Sequence, residues 1–121
     1  MKNKKTIVLG ASSNPSRYSF LATESLNNKG HDVIPIGLRK GKIGAIEILT
    51  GEPDVKDVHT ITLYMRASIQ KPLYPFIFSL HPQRIIFNPG AENPELVSLA
   101  NEKGIETLNA CTLVMLSTGQ Y

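Results

Sequence analysis

Gly10, Ala11, Ser12, Ser13, Asn14 and Arg17 follow directly on the apolar run Thr6-Ile7-Val8-Leu9, and no other stretch of the chain is as well equipped for chemistry. Glycine puts no side chain between backbone and ligand, the serines add hydroxyl donors, and free N–H groups at the start of a following helix favour negative charge. The chemistry is anion binding, with a phosphate as the expected guest. Arg17 supports it: a cation at a helix amino end is unfavourable by a few tenths to about 1 kcal/mol unless an anion accompanies it. The same residues also have a plain structural use, as a tight strand-to-helix turn followed by a solvated cation.

Covalent chemistry is less well served. Gly10-Ala11-Ser12-Ser13-Asn14 lacks the second glycine of a Gly-x-Ser-x-Gly elbow, so Ser12 is a donor and not a nucleophile. Cys111, the single cysteine, has no histidine near it in sequence and reads as a packed thiol. His31, His59 and His81 are widely spaced and have no ligand-type partner, so no metal site is assigned. We assign no catalytic residue and expect no turnover.

The elements that must position the loop can be read from periodicity. Ile7, Val8 and Leu9 run without polar alternation, as in a strand buried on both faces of a parallel sheet. Tyr18, Leu21, Ala22, Ser25 and Leu26 recur at helical spacing, and Gly30 suits the left-handed position that ends a helix. Asp32-Val33-Ile34-Pro35-Ile36 is a second strand, and a right-handed crossover makes it the parallel neighbour of the first. Residues 37–57 contain four glycines and a proline and read as a long connection, with only short regular pieces near residues 43–49.

A third strand is expected at residues 60–65, with Arg66 where it gives way to a loop, and then a helix beginning near Pro72 and Pro75. Residues 84–88 form a fourth strand, followed by a turn at Pro89, Gly90, Ala91 and Glu92. Asn93 caps a helix that has Pro94 in its first position, Glu95 at its positive end and Gly104 as its stop. A fifth strand is expected at residues 105–110. The tail beyond Cys111 packs as a last helical turn or covers a neighbouring subunit. The fold class is α/β, a three-layer doubly wound parallel sheet of about five strands, ordered three, two, one, four, five by analogy to a Rossmann half.

Composition bounds the rest. A chain of 121 residues with 41% hydrophobic content makes one domain, residues 1–121. The formal charge of +3 is mild, with Lys2, Lys4 and Lys5 bunched at the amino end, and suits an anionic small molecule. No aromatic RNA-binding motif, paired-cysteine zinc spacing or dense basic stripe is present, so nucleic acid is not an expected partner. No signal core or membrane-length apolar run occurs, and one cysteine allows no internal disulfide; a cytoplasmic location without membrane contact is expected. A complete dinucleotide fingerprint is missing, because only Gly10 stands in the first turn and no acidic residue ends the second strand. Arg39, Lys40 and Lys42 lie there instead and suit a phosphorylated ribose.

Together these residues resemble the small coenzyme A (CoA)-binding proteins of Rossmann-type fold, which are related to the CoA-binding domain of acyl-CoA and succinyl-CoA synthetases. The likeness rests on Val8-Leu9-Gly10-Ala11-Ser12 with Asn14-Pro15 and Arg17, on Gly30-His31-Asp32-Val33-Ile34-Pro35-Ile36, on Arg66 after strand three, and on Gly104-Ile105 leading to Cys111. It implies that residues 10–12 wrap a pyrophosphate and that Pro35, Ile36, Gly37 and Leu38 line the adenine side. It also implies that Tyr64, Met65 and Arg66, together with Asn88, Gly90 and Ala91, border the remainder of CoA or an acyl-CoA. Members commonly continue the second strand with Asn-Pro, where this chain has Gly37-Leu38, and often carry Trp-x-Gln where it has Ile86-Phe87-Asn88. Gly37 still permits close backbone approach, and Asn88 keeps an amide near the glutamine's place.

Two other readings fit the same turn. One is an NADP-dependent oxidoreductase or dinucleotide-sensing regulator; the other is an interaction module with a degenerate nucleotide pocket, its apolar tail docking on a partner or on a second copy of the chain.

Overall fold

A computed structural model describes residues 3–121, so Lys2 lies outside the described residues. In chain order the elements are β1 (Thr6–Leu9), α1 (Tyr18–Asn28), β2 (Val33–Ile36), β3 (Gly41–Ile43), β4 (Ile46–Ile48) and β5 (Thr60–Leu63). They continue with α2 (Ala67–Gln70), α3 (Tyr74–Ser79), β6 (Arg84–Phe87), α4 (Pro94–Glu102), β7 (Glu106–Asn109) and α5 (Thr112–Ser117). Five strands form one parallel sheet in the order β2-β1-β5-β6-β7, and helices flank it in an α/β Rossmann-like arrangement.

Strand order differs from the expectation. The third sheet strand, β5, lies inside β1 and not outside β2, giving the doubly wound order two, one, three, four, five. Pro35 supplies the reason. Its carbonyl accepts from Leu49 N–H on the side away from β1, so its ring nitrogen, which has no hydrogen, also faces outward. A further parallel strand there would lose a ladder bond, and proline belongs on such an edge. The edge is covered instead by the antiparallel β3–β4 hairpin, which joins through a bridge between Ile36 and Leu49. The segment read as an irregular connection therefore contains this hairpin.

Strand alternation sorts the sheet into two unlike faces. Ile7, Leu9, Ile61, Leu63, Ile85 and Phe87 form an apolar face, packed with Phe76, Ile77, Leu80, Leu96 and Ala100 from α3 and α4. The opposite face carries Val8 and Ile86 against Leu26 of α1 and Met115 and Leu116 of α5. It also carries buried Thr6, Thr60, Thr62 and Arg84. The tail thus packs on its own chain through α5.

Helix α1 is turned relative to its expected face. Ser19, Ala22, Thr23 and Leu26 are buried, whereas Tyr18 is 72% exposed and Leu21 39%. Small residues face the sheet, which lets the helix lie close to it. The segment after β5 turns helical at Ala67, ahead of the prolines, and Pro72 and Pro75 sit in the first turns of the pieces that follow. Helix α4 matches its sequence signals: the Asn93 side chain accepts from Leu96 N–H at 3.2 Å, and Gly104 takes a φ of 74°.

Ile61 is fully buried in the central strand β5, whereas Leu38 is 96% exposed. Urea unfolding of Ile61→Ala should show a loss of about 2–5 kcal/mol. Leu38→Ala should stay within about 0.5 kcal/mol of the parent.

Candidate functional site at the carboxyl edge of the sheet

The loops that follow β1, β2, β5 and β6 all emerge at the carboxyl edge, where open α/β sheets hold ligands. Their arrangement is fixed by one shared acceptor. The Ile36 carbonyl accepts from Gly10 N–H at 3.0 Å and from Ala11 N–H at 2.9 Å. Those two donors are consumed inside the fold, whereas the next two in the loop, Ser12 and Ser13 N–H, find no acceptor among the described residues. The rest of the loop is tied to itself: Asn14 N–H donates to Ser12 Oγ at 3.1 Å, Ser16 N–H to Asn14 Oδ1 at 3.0 Å, and Arg17 N–H to the Asn14 carbonyl at 3.0 Å.

Three glycines let the loops touch. A Cβ on Gly10 would lie 3.1 Å from the Tyr64 carbonyl carbon, so its bare backbone allows the close approach of the β5 loop. A Cβ on Gly37 would meet the Ala11 carbonyl oxygen at 2.4 Å, a contact that no side chain can occupy. A Cβ on Gly41 would lie 3.1 Å from Ser13 Cβ, which puts the start of β3 beside the serine loop. This brings the basic segment of Arg39 and Lys40 next to Ser13. Lys42 points the other way: strand alternation puts it on the face opposite Gly41, across from Glu47.

Arg17 stands at the N-cap of α1, is exposed, and makes no side-chain cap bond. No acidic residue occupies the first turn of that helix. The amino end therefore presents unpaired N–H groups and a cation together, with no counter-charge of its own.

The other expected site residues divide into two groups. Leu38, Arg39, Lys40, Arg66 and Gly90 are exposed at the edge, with Met65 half-buried among them. Arg66 donates from Nε to Ser68 Oγ at 3.0 Å and does not pair with Glu92, whose Oε1 accepts from Gly90 N–H at 2.9 Å. Pro35, Ile36, Asn88 and Ala91 are buried in the framework. Asn88 is fully employed there: its Nδ2 donates to Thr62 Oγ1 at 2.6 Å and to the Leu63 carbonyl at 2.9 Å, while Oδ1 accepts from Thr112 N–H at 2.9 Å. It braces β5, β6 and α5, with both amide hydrogens committed inside the fold.

Tyr64 turns its phenol inward, where the hydroxyl is buried without a hydrogen-bond partner. Burial is the main cause that pushes its pKa up to about 12, partly offset by the nearby Thr112 and Thr62 hydroxyls. The phenol is neutral at any working pH. Cys111 is half-buried and occupies the N-cap of α5.

Sequence reasoning missed Gln70. Its Nε2 donates to the Met65 carbonyl at 2.7 Å and the Ala91 carbonyl at 2.8 Å, and its Oε1 accepts from Asn93 Nδ2 at 2.8 Å. This clamp holds the β5 and β6 loops together. All its partners beyond Met65 are more than twenty positions away, so no local pattern could have revealed it.

Two surface depressions lie elsewhere. One of about 640 Å³ is lined by Phe78, His81, Pro82, Gln83, Lys103 and Ile105. Another of about 410 Å³ runs past Lys5, His31, Asp32 and Ile46. Neither includes a residue of the loop 10–17, which lies open at the surface.

Residues 4–117 match the family model described as a CoA binding domain. The chain belongs to this family of CoA-binding domains. Its ligand class is accordingly a small-molecule nucleotide. Among solved structures, an uncharacterized protein is 45% identical over 100% of both chains, with a TM-score of 0.97. A hypothetical protein from Pyrococcus horikoshii OT3 shares 18% identity over 97% of this chain and 84% of its own, with a TM-score of 0.86. The cell-free ID.343 protein from Thermus thermophilus shares 22% over 98% and 91%, with a TM-score of 0.82. The last two show the fold alone. No curated protein matches the chain. No helix among the described residues is long and apolar enough to cross a membrane.

The CoA-binding domain should tolerate change poorly at the two internal ties of its site. Asn88→Leu leaves Thr112 N–H and the Leu63 carbonyl without their partner, and urea unfolding should show a loss of about 2–5 kcal/mol. Gly37→Ala, which forces the Ala11 carbonyl aside, should cost about 1–3 kcal/mol in the same measurement.

Proposed function

We propose that this domain binds CoA or an acyl-CoA along the carboxyl edge of its sheet without transforming it. The observation that carries this reading is the uncapped amino end of α1 at Arg17, together with the unpaired N–H groups of Ser12 and Ser13 in the loop that leads to it. A diphosphate supplies both the missing acceptors and the missing negative charge. The ribose 3′-phosphate falls to Arg39 and Lys40, which the Gly41–Ser13 contact holds near that loop. Leu38, almost wholly in solvent, offers the adenine an apolar surface. Met65, Arg66 and Gly90 border the pantetheine arm.

The placement of the histidines supports binding without catalysis. His31 precedes β2, His59 precedes β5 and His81 precedes β6, so all three lie at the amino edge of a parallel sheet. Neither Ser12 nor Cys111 has an imidazole at its end of the fold to act as base.

Isothermal titration tests the assignment. Arg17→Ala should raise the CoA dissociation constant at least tenfold, the ~1.4 kcal/mol expected of one lost charge-assisted contact. An Arg39→Ala/Lys40→Ala double variant should weaken CoA but leave dephospho-CoA unchanged. Equal affinity of the parent for the two ligands would remove the 3′-phosphate contact. Binding of NADP in place of CoA, or of neither, would overturn the reading.

A further inference from the structure

The amino edge of the sheet carries a cluster that ligand binding does not use. Thr6, Thr60 and Arg84 stand side by side as the first residues of β1, β5 and β6. Arg84 is 6% exposed, donates from Nε to Thr60 Oγ1 at 2.7 Å, and has a buried Nη2 with no acceptor. No carboxylate pairs with it among the described residues. Its guanidinium is instead covered by the Tyr121 ring, 4.3 Å from the centroid. The same ring is 5.1 Å from His31, and the Tyr121 hydroxyl bonds Thr6 Oγ1. The Tyr121 carbonyl accepts from Lys4 Nζ at 2.6 Å. Tyr121 is thus what holds the segment after α5 against the sheet.

Both histidines beside this cluster are hydrogen-bonded through Nδ1. Lys4 backbone N–H donates to His31 Nδ1 at 2.9 Å, which requires that nitrogen to carry no proton. His59 Nδ1 lies 2.7 Å from the Thr60 hydroxyl, which also accepts from Arg84 Nε. Protonating His31 turns the Lys4 contact into donor against donor and frees the residue whose ammonium grips Tyr121. Protonating His59 adds a cation beside the unpaired Arg84.

We propose that residues 112–121 form a pH-operated latch, closed on the sheet while His31 and His59 are neutral and released when they protonate. Lys4 and Arg84 both oppose charge on each histidine, and each pKa lies below its usual value, with burial as the larger cause. The carboxylates near the pair offer little opposition. Glu106 acts on His59 alone, and Asp32, next to His31, is exposed and accepts from Asn3 Nδ2. A lowered folded-state pKa means that the stabilisation is complete above the ordinary histidine value of 6.5 and is lost as pH falls below it. Release acts on α5, whose other end is tied to Asn88 through Thr112 N–H. The latch stands on its own contacts and does not depend on which ligand the carboxyl edge takes.

Nuclear magnetic resonance titration from pH 8 to pH 5 reads both events in one sample. Amide signals of residues 112–121 should leave their native positions with the same midpoint as the His31 and His59 ring protons, while those of β5 and β6 stay in place. In a His31→Asn/His59→Asn double variant, whose side-chain oxygens can still serve the two bonds without titrating, the segment should remain native at pH 5. Native signals for 112–121 in the parent once both rings are protonated would overturn the latch. So would release of the double variant at the parent's midpoint. If the variant does not fold, the parent titration alone decides.

Discussion

One carbonyl governs the candidate site. By accepting from both Gly10 and Ala11, Ile36 ends β1 and β2 at the same level and determines which backbone donors remain for a ligand. The missing Cβ of Gly37 is the steric counterpart of that bond, since the Ala11 carbonyl fills the space a side chain would need. Bond and contact together push the loop outward at Ser12. The residues after it are joined by short-range turns, and the serine N–H groups have no acceptor among the described residues. The donors left free in this loop are what the internal hydrogen bonding leaves over.

The unlike faces of the sheet explain why the framework around the site is polar. Against α3 and α4 the strands present an unbroken apolar surface, where burial alone supplies the adhesion. Against α5 they present Thr62, whose hydroxyl bonds Thr112 Oγ1 at 2.8 Å and Asn88 Nδ2 at 2.6 Å. A buried hydroxyl and a buried amide are costly unless each donor and acceptor is used, and here almost all are. That requirement specifies the position of α5 more narrowly than apolar packing could, because a shift of one residue would orphan several groups at once. The Tyr64 hydroxyl is the exception, and its burial raises a pKa that already lies far above neutral.

Much of this was legible in the chain. Short runs rich in β-branched and apolar residues mark β1, β5 and β6, which are buried at every position, and Gly30, Asn93 and Gly104 mark helix ends because those conformations demand particular residue types. The family likeness was legible in the same motifs and is shown by the match over residues 4–117. Strand order was misjudged, although Pro35 held the answer: a strand whose outward nitrogen cannot donate is an edge. The hairpin escaped because its strands are three residues each, too short for a period to register. Asn88 was assigned toward the ligand because an amide's residue type does not disclose its partners. Those lie at Leu63 and Thr112, a distance along the chain at which only the fold decides.

The two edges of the sheet end up with opposite characters for one reason. In a parallel sheet every crossover helix starts at the carboxyl edge and finishes at the amino edge, so helix N–H groups collect at one end and helix carbonyls at the other. An anion is favoured at the first, where Arg17 has no acidic neighbour in its helix turn. At the second, Arg84 meets no carboxylate and is covered by a tyrosine ring. A cation stacked on an aromatic face in a dry environment gains about 2 kcal/mol, less than the cost of taking a guanidinium out of water, so the cluster is held together by its neighbours and not by Arg84 alone. Helix α5 reaches both edges, through Thr112 at one end and the segment ending in Tyr121 at the other. Its position therefore depends on the polar bonding at both.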